Sequence, residues 1–122
     1  MNIYHSFTQH KARGEKSLAV LVDPDKTSSA DVATLCELAV QSQVDYFFVG
    51  SSLLLSNNLQ SCVNVLKKSS DIPVILFPGN TLQVCTGADA ILFLSLISGR
   101  NAEFLIGQQV LAAPMLKSAV SL

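Results

Sequence analysis

Charge is scarce in this sequence: only 14% of its 122 residues are Asp, Glu, Lys or Arg, against roughly a quarter in an average soluble domain. The 8 basic and 9 acidic side chains leave a net charge of −1, so there is no basic surplus to attract nucleic acid or anionic lipid. Long apolar runs are lacking too. The longest, Ala90 to Ile97, is interrupted by Ser95 and falls short of the roughly 18–20 residues of a membrane span. Met1–Lys16 is polar, with no apolar core of a signal peptide. The cysteines Cys36, Cys62 and Cys85 are odd in number and lack metal-ligand spacing. They suit buried thiols in a reducing cytosol, not a disulfide framework. No zinc spacing, P-loop, Ser/His/Asp or Cys/His arrangement is present. The expectation is one cytoplasmic domain over residues 1–122.

What is abundant is aliphatic sequence in short blocks. Four runs read as strands: Leu18–Val22, Tyr46–Val49, Pro73–Phe77 and Ala90–Leu94. None alternates apolar with polar residues, which is the pattern of parallel strands covered on both faces. Between them lie helical periodicities. Ser28 or Ser29 can cap a helix with Val32, Leu35, Cys36 and Ala39 on one side and Asp31 in its first turn. A second helix, from about Asn58 to Lys68, repeats the pattern with Leu59, Cys62, Val63 and Leu66, and ends in Lys67 and Lys68. A last helix is expected from near Asn101, with Phe104, Leu105 and Leu111 buried and Pro114 bending or ending it. Ile3, Tyr4 and Phe7 suggest a short leading helix.

Strand starts are 28, 27 and then only 17 residues apart. Pro78 to Ala88 is too short for a covering helix plus two loops, so one outer helix is missing or reduced to a turn near Thr81–Val84. Two folds accept four βα units: a small doubly wound sheet, or the first half of a (β/α)8 barrel. In both, chemistry gathers at the carboxyl ends of the strands.

Asp23, directly after the first run and held by Pro24, is the sharpest candidate there. It can ligate a hard cation such as Mg2+, with Ser52 as a second oxygen, or Asp23 or Asp25 can simply cap a turn or the next helix. Lys26 can meet a phosphate or be a solvated loop lysine. Gly50 and Gly79, the latter followed by Asn80, can let a ligand approach the backbone or be plain turn residues. Arg100 and Asn101 can bind a polar head group or merely begin the last helix. His5 and His10 read as surface residues, far from any strand end.

The ordered segments LVDPDK (Leu21–Lys26), VDYFFVGSS (Val44–Ser52), PVILFPGN (Pro73–Asn80), ADAILFLSLISGRN (Ala88–Asn101) and IGQQVLAAPMLK (Ile106–Lys117) resemble the geranylgeranylglyceryl phosphate synthases, in their PcrB-like branch of many bacteria and some archaea. The resemblance implies a modified (β/α)8 barrel whose third helix is replaced by an irregular strand or loop. It also implies Mg2+-dependent transfer of a prenyl group from a prenyl diphosphate to the C3 hydroxyl of sn-glycerol 1-phosphate. Carried over, Asp23 matches the family's metal-binding aspartate and Ser52 its metal-binding Ser/Thr. The strand-end residues Lys26, Gly50, Gly79, Asn80 and Asn101 are the substrate-binding candidates. One branch of the family places a lysine two residues before that aspartate, where this sequence has Leu21.

The resemblance covers the N-terminal half of that barrel. The acceptor-phosphate loops have no counterpart among these residues, so the 122 residues alone are expected to be inactive. Half a barrel leaves edge strands with unpaired backbone groups, which predicts a homo-oligomer, pairing with a complementary half, or aggregation. The alternative to an enzyme is a non-catalytic half-barrel that only self-assembles.

Overall fold

The structure, a computed structural model, describes residues 2–50, 58–77 and 85–92. The elements run α1 (Ile3–Ala12), β1 (Ala19–Val22), α2 (Ser29–Gln41), β2 (Tyr46–Val49), α3 (Asn58–Ser69), β3 (Val74–Leu76) and β4 (Ala90–Ile91). The strands form one sheet in the order β1-β2-β3-β4, with every neighbouring pair parallel.

That order decides between the two folds the sequence leaves open. A doubly wound sheet reverses its strand order at a switch point so that helices cover both faces. Here each strand is laid beside the last without reversal. Right-handed crossovers then put every connecting helix on the same face, as in a barrel wall. The packing agrees. Val22, Phe47, Val49, Val74 and Leu76 form one buried cluster with Val32, Cys36 and Ala39 of α2 and with Leu59, Cys62, Val63 and Leu66 of α3. The chain is the first half of a modified (β/α)8 barrel. In the short connection from β3 to β4, the described residues 77 and 85–89 carry no helix. The expected turn at Thr81–Val84, the helix from Asn101 and the strand residues 93–94 lie outside the described residues.

The opposite face of the sheet is the concave side. Register places Leu21, Phe48, Ile75 and Ala90 in one row across the four strands. Among the described residues, only α1 reaches this side, bringing Ile3 and Phe7 against Tyr46 and Ile75. The Phe7 and Tyr46 rings meet edge to face at 4.8 Å, and the hydroxyls of Ser6 and Tyr46 lie 2.6 Å apart. Tyr4, expected beside Ile3 and Phe7, is instead 76% exposed. A spacing of four keeps two residues on one helical face, whereas the next position turns away. His10 is half-buried, its ring near Tyr46 and its Nδ1 against the Ser17 hydroxyl, so it is more than a surface residue.

The apolar run of β1 suggests two covered faces, but Ala19 and Leu21 are exposed while Val22 is buried. Among the described residues β1 is an edge strand, and nothing packs over the concave end of it. Helices α1 and α2 each end in a left-handed residue that recovers two orphan carbonyls. For α2 this residue is Gln43 at φ 58°, with Gln43 N–H on Val40 C=O and Val44 N–H on Ala39 C=O; for α1 it is Gly14. Ser28, of the two serines considered, is the N-cap of α2 and accepts the Asp31 N–H. The three cysteines are free and buried.

Candidate functional site

Parallel pairing brings the carboxyl ends of all four strands to one rim. Three backbone bonds continue the ladder there: Gly50 N–H to Val22 C=O, Phe77 N–H to Val49 C=O and Leu92 N–H to Leu76 C=O. Asp23, Gly50 and Phe77 are therefore the first residues past β1, β2 and β3 on a common edge.

Asp23 is half-buried and sits in a closed turn. Its Oδ1 accepts the Asp25 N–H at 3.0 Å, and its carbonyl accepts both the Thr27 hydroxyl at 2.9 Å and the Lys26 N–H at 3.2 Å. Buried Pro24 fixes the chain between them. The turn-capping role considered for Asp23 is thus real, but it occupies one carboxylate oxygen only. Among the described residues nothing donates to Oδ2. A carboxylate oriented by one backbone donor, with a second oxygen left over, suits a hard cation that keeps most of its ligands as water and substrate oxygen. No three His, Cys, Asp or Glu side chains gather into a metal cluster among the described residues.

Lys26 is exposed beside the same turn. Gly50 has a protein reason to be glycine. At φ +153°, a Cβ there would lie 2.0 Å from the Phe77 carbonyl oxygen, so the close approach is made by the neighbouring strand. Ser52, Gly79, Asn80, Arg100 and Asn101 lie outside the described residues.

Next to the Asp23 turn, a cavity of about 240 Å³ opens between the first turns of α2 and α3, lined by Pro24, Thr27, Ser28, Asn58, Ser61 and Cys62 among others. Cys62 forms part of its wall. Burial, with smaller contributions from Cys36 and Asp23, pushes its thiol up to about 11. The sulfur is therefore a protonated wall group and not a nucleophile at neutral pH.

Two anchors that sequence reading misses hold the far end of the sheet. Asp45 Oδ2 accepts the Leu18 N–H at 2.8 Å, and Asp89 both pairs with Lys67 at 2.9 Å and accepts the Val74 N–H at 2.8 Å. Lys67, expected to act only on the helix dipole, thus has a carboxylate partner. The signal available in sequence was an Asp just before each apolar run, at positions 45 and 89.

Comparison with known proteins gives a consistent result. The family model of the PcrB family matches residues 10–122. A geranylgeranylglyceryl phosphate synthase of Chitinophaga pinensis is 54% identical over 117 residues, 96% of this chain and 46% of that protein. The synthase of the same name from Methanothermobacter marburgensis is 36% identical over 109 residues, 88% of this chain and 44% of that one. Among solved structures, (S)-3-O-geranylgeranylglyceryl phosphate synthase of Thermoplasma acidophilum, in complex with its substrate sn-glycerol-1-phosphate, superposes with a TM-score of 0.80 at 32% identity. That match covers 89% of this chain and 44% of the other. The chain spans about half the length of the relatives it matches. Among the described residues, no helix is long and apolar enough to cross a membrane.

Proposed function

From the premise that this chain belongs to the PcrB family, we propose that it is the donor-side half of a cytoplasmic prenyltransferase. In this reading the whole barrel moves a geranylgeranyl or similar prenyl group from its diphosphate to the C3 hydroxyl of sn-glycerol 1-phosphate in ether-lipid synthesis. The observation that carries the reading is the placement of Asp23. Its carboxylate stands at the carboxyl end of the first barrel strand, with one oxygen held by the Asp25 N–H.

Asp23, with Ser52, would hold Mg2+, and when bound the ion neutralises charge on the departing diphosphate. The protein's own contribution is to present an oriented carboxylate at the rim and to offer the exposed Lys26 as a cation beside it. Gly79, Asn80 and Asn101 complete the proposed donor contacts. The acceptor phosphate would be anchored by residues in the portion of the relatives that this chain does not span, so the 122 residues alone would not turn over.

The test is an assay with geranylgeranyl diphosphate, sn-glycerol 1-phosphate and Mg2+ on two proteins. One is the 122-residue chain; the other joins it to the complementary half of the Chitinophaga pinensis relative. Turnover is expected in the joined protein alone, and Asp23→Asn should abolish it. Undiminished turnover in Asp23→Asn would remove Asp23 from the metal site.

A further inference from the structure

Two separate groups of Asp23 are tied within the turn that follows β1. The side chain is held at Oδ1 by the Asp25 N–H, and the backbone is held at the carbonyl by the Thr27 hydroxyl and the Lys26 N–H. The Thr27 bond is not needed for either of the obvious local purposes. Lys26 already closes the turn on the same carbonyl. Ser28, not Thr27, supplies the oxygen that caps α2. The hydroxyl is an additional tie directed at Asp23. Thr27 is half-buried, so the bond is partly shielded from water.

A carboxylate that meets a cation with its orientation already set loses less entropy on binding, and the groups that orient a ligand tune its affinity. Resting on the reading of Asp23 as a ligand of a divalent cation, we propose that Thr27 is the positioning residue for that ligand. By anchoring the Asp23 carbonyl, its hydroxyl keeps the turn in the shape in which the Asp25 N–H pins Oδ1 and leaves Oδ2 for the ion. Valine has the same shape and no donor; serine has the donor without the methyl. The proposal requires these two to behave differently.

The test is a Mn2+ titration of the 122-residue chain followed in 15N–1H correlation spectra, because Mn2+ shares the oxygen preference of Mg2+ and broadens the amides nearest to it. The parent chain should lose the Asp23, Asp25 and Lys26 signals first, and Asp23→Asn should remove that pattern. Thr27→Val should need about tenfold more Mn2+ for the same broadening, while Thr27→Ser should return to the parent titration. Dispersed spectra verify that each variant is folded; if valine is not accommodated, Thr27→Ala removes the same hydroxyl and carries the same expectation. A Thr27→Val chain that titrates like the parent overturns the positioning role and leaves the metal reading intact. So does a serine variant as weak as the valine one. A parent chain with no broadening centred on Asp23 removes the metal reading, and the positioning role with it.

Discussion

The side-chain amide of Gln60 on α3 pairs with both backbone groups of Thr86. Its Oε1 accepts the Thr86 N–H at 3.0 Å, and its Nε2 donates to the Thr86 carbonyl at 2.9 Å. The second Nε2 hydrogen goes to Asn64 Oδ1 at 3.0 Å. A side chain here does what a neighbouring strand would do, pinning the segment that leads into β4 against α3. Since no helix covers the described part of that connection, this pairing and the Asp89 anchor take over the tethering. Gln60→Leu keeps the volume and loses the Thr86 pairing together with the Asn64 bond, and should lower unfolding free energy by about 1–2 kcal/mol, a small net value because these bonds are exposed to water. Urea denaturation measures it. Amide exchange at Thr86 should quicken in the same variant, and unchanged exchange would mean that the pairing carries no tension in solution.

Gly50 makes a harsher prediction. A Cβ at this position would sit 2.0 Å from the Phe77 carbonyl oxygen, which belongs to backbone and cannot swing away, and its φ of +153° disfavours any side chain. Relief would require β2 and β3 to part where Phe77 N–H reaches Val49 C=O. Gly50→Ala should therefore cost more than about 3 kcal/mol, read as loss of the cooperative unfolding transition. An alanine variant as stable as the parent would show that the strand ends are not this close.

The core helices are legible in sequence because each buries one face at helical spacing: Val32, Cys36 and Ala39 on α2, and Leu59, Cys62, Val63 and Leu66 on α3. The short third gap is legible because chain length limits what fits in it. Asp23 is legible because a carboxylate directly after an apolar strand must sit at the sheet's rim. The two faces of β1 are not, since an apolar run reads the same whether or not the covering partner is present. Nor are the side-chain anchors: Gln60 and Thr86 are 26 residues apart, and Asp45 and Leu18 are 27, distances at which no local pattern operates. Strand order, which chooses barrel over doubly wound sheet, is a long-range property of the same kind.

The concave row bears on how the 122-residue chain behaves alone. Leu21 is 61% exposed in register with Phe48, and Leu18, just before β1, is 52% exposed. Exposed apolar side chains beside an edge strand favour association. At tens of micromolar the chain should run larger than a monomer in light scattering. Leu21→Asn, which sits on the open side and leaves the α2 and α3 packing untouched, should shift it toward monomer. A monodisperse parent monomer would count against this.

The buried thiols set an alkaline limit to stability. Burial is the main cause that pushes Cys62 and Cys85 from 9.0 up to about 11, and it raises Cys36 as well, where hydrogen bonds from Ser70 and Ser69 partly oppose it. In the unfolded chain these thiols lose their protons near pH 9; in the folded one Cys62 and Cys85 keep them to about pH 11. Between those values the folded state binds more protons, so stability falls as pH rises. The contribution is complete below about pH 9 and gone above about pH 11. At 1.36 kcal/mol per unit, each of the two contributes about 2–3 kcal/mol across that window. Urea midpoints under reducing conditions should hold steady from pH 7 to 8.5 and then fall. Replacing Cys62 and Cys85 by alanine lowers stability everywhere through the cavities left behind, but it removes this part of the slope. The double variant should therefore lose less between pH 9 and 11 than the parent, and parallel curves would show that these thiols are open to water when folded.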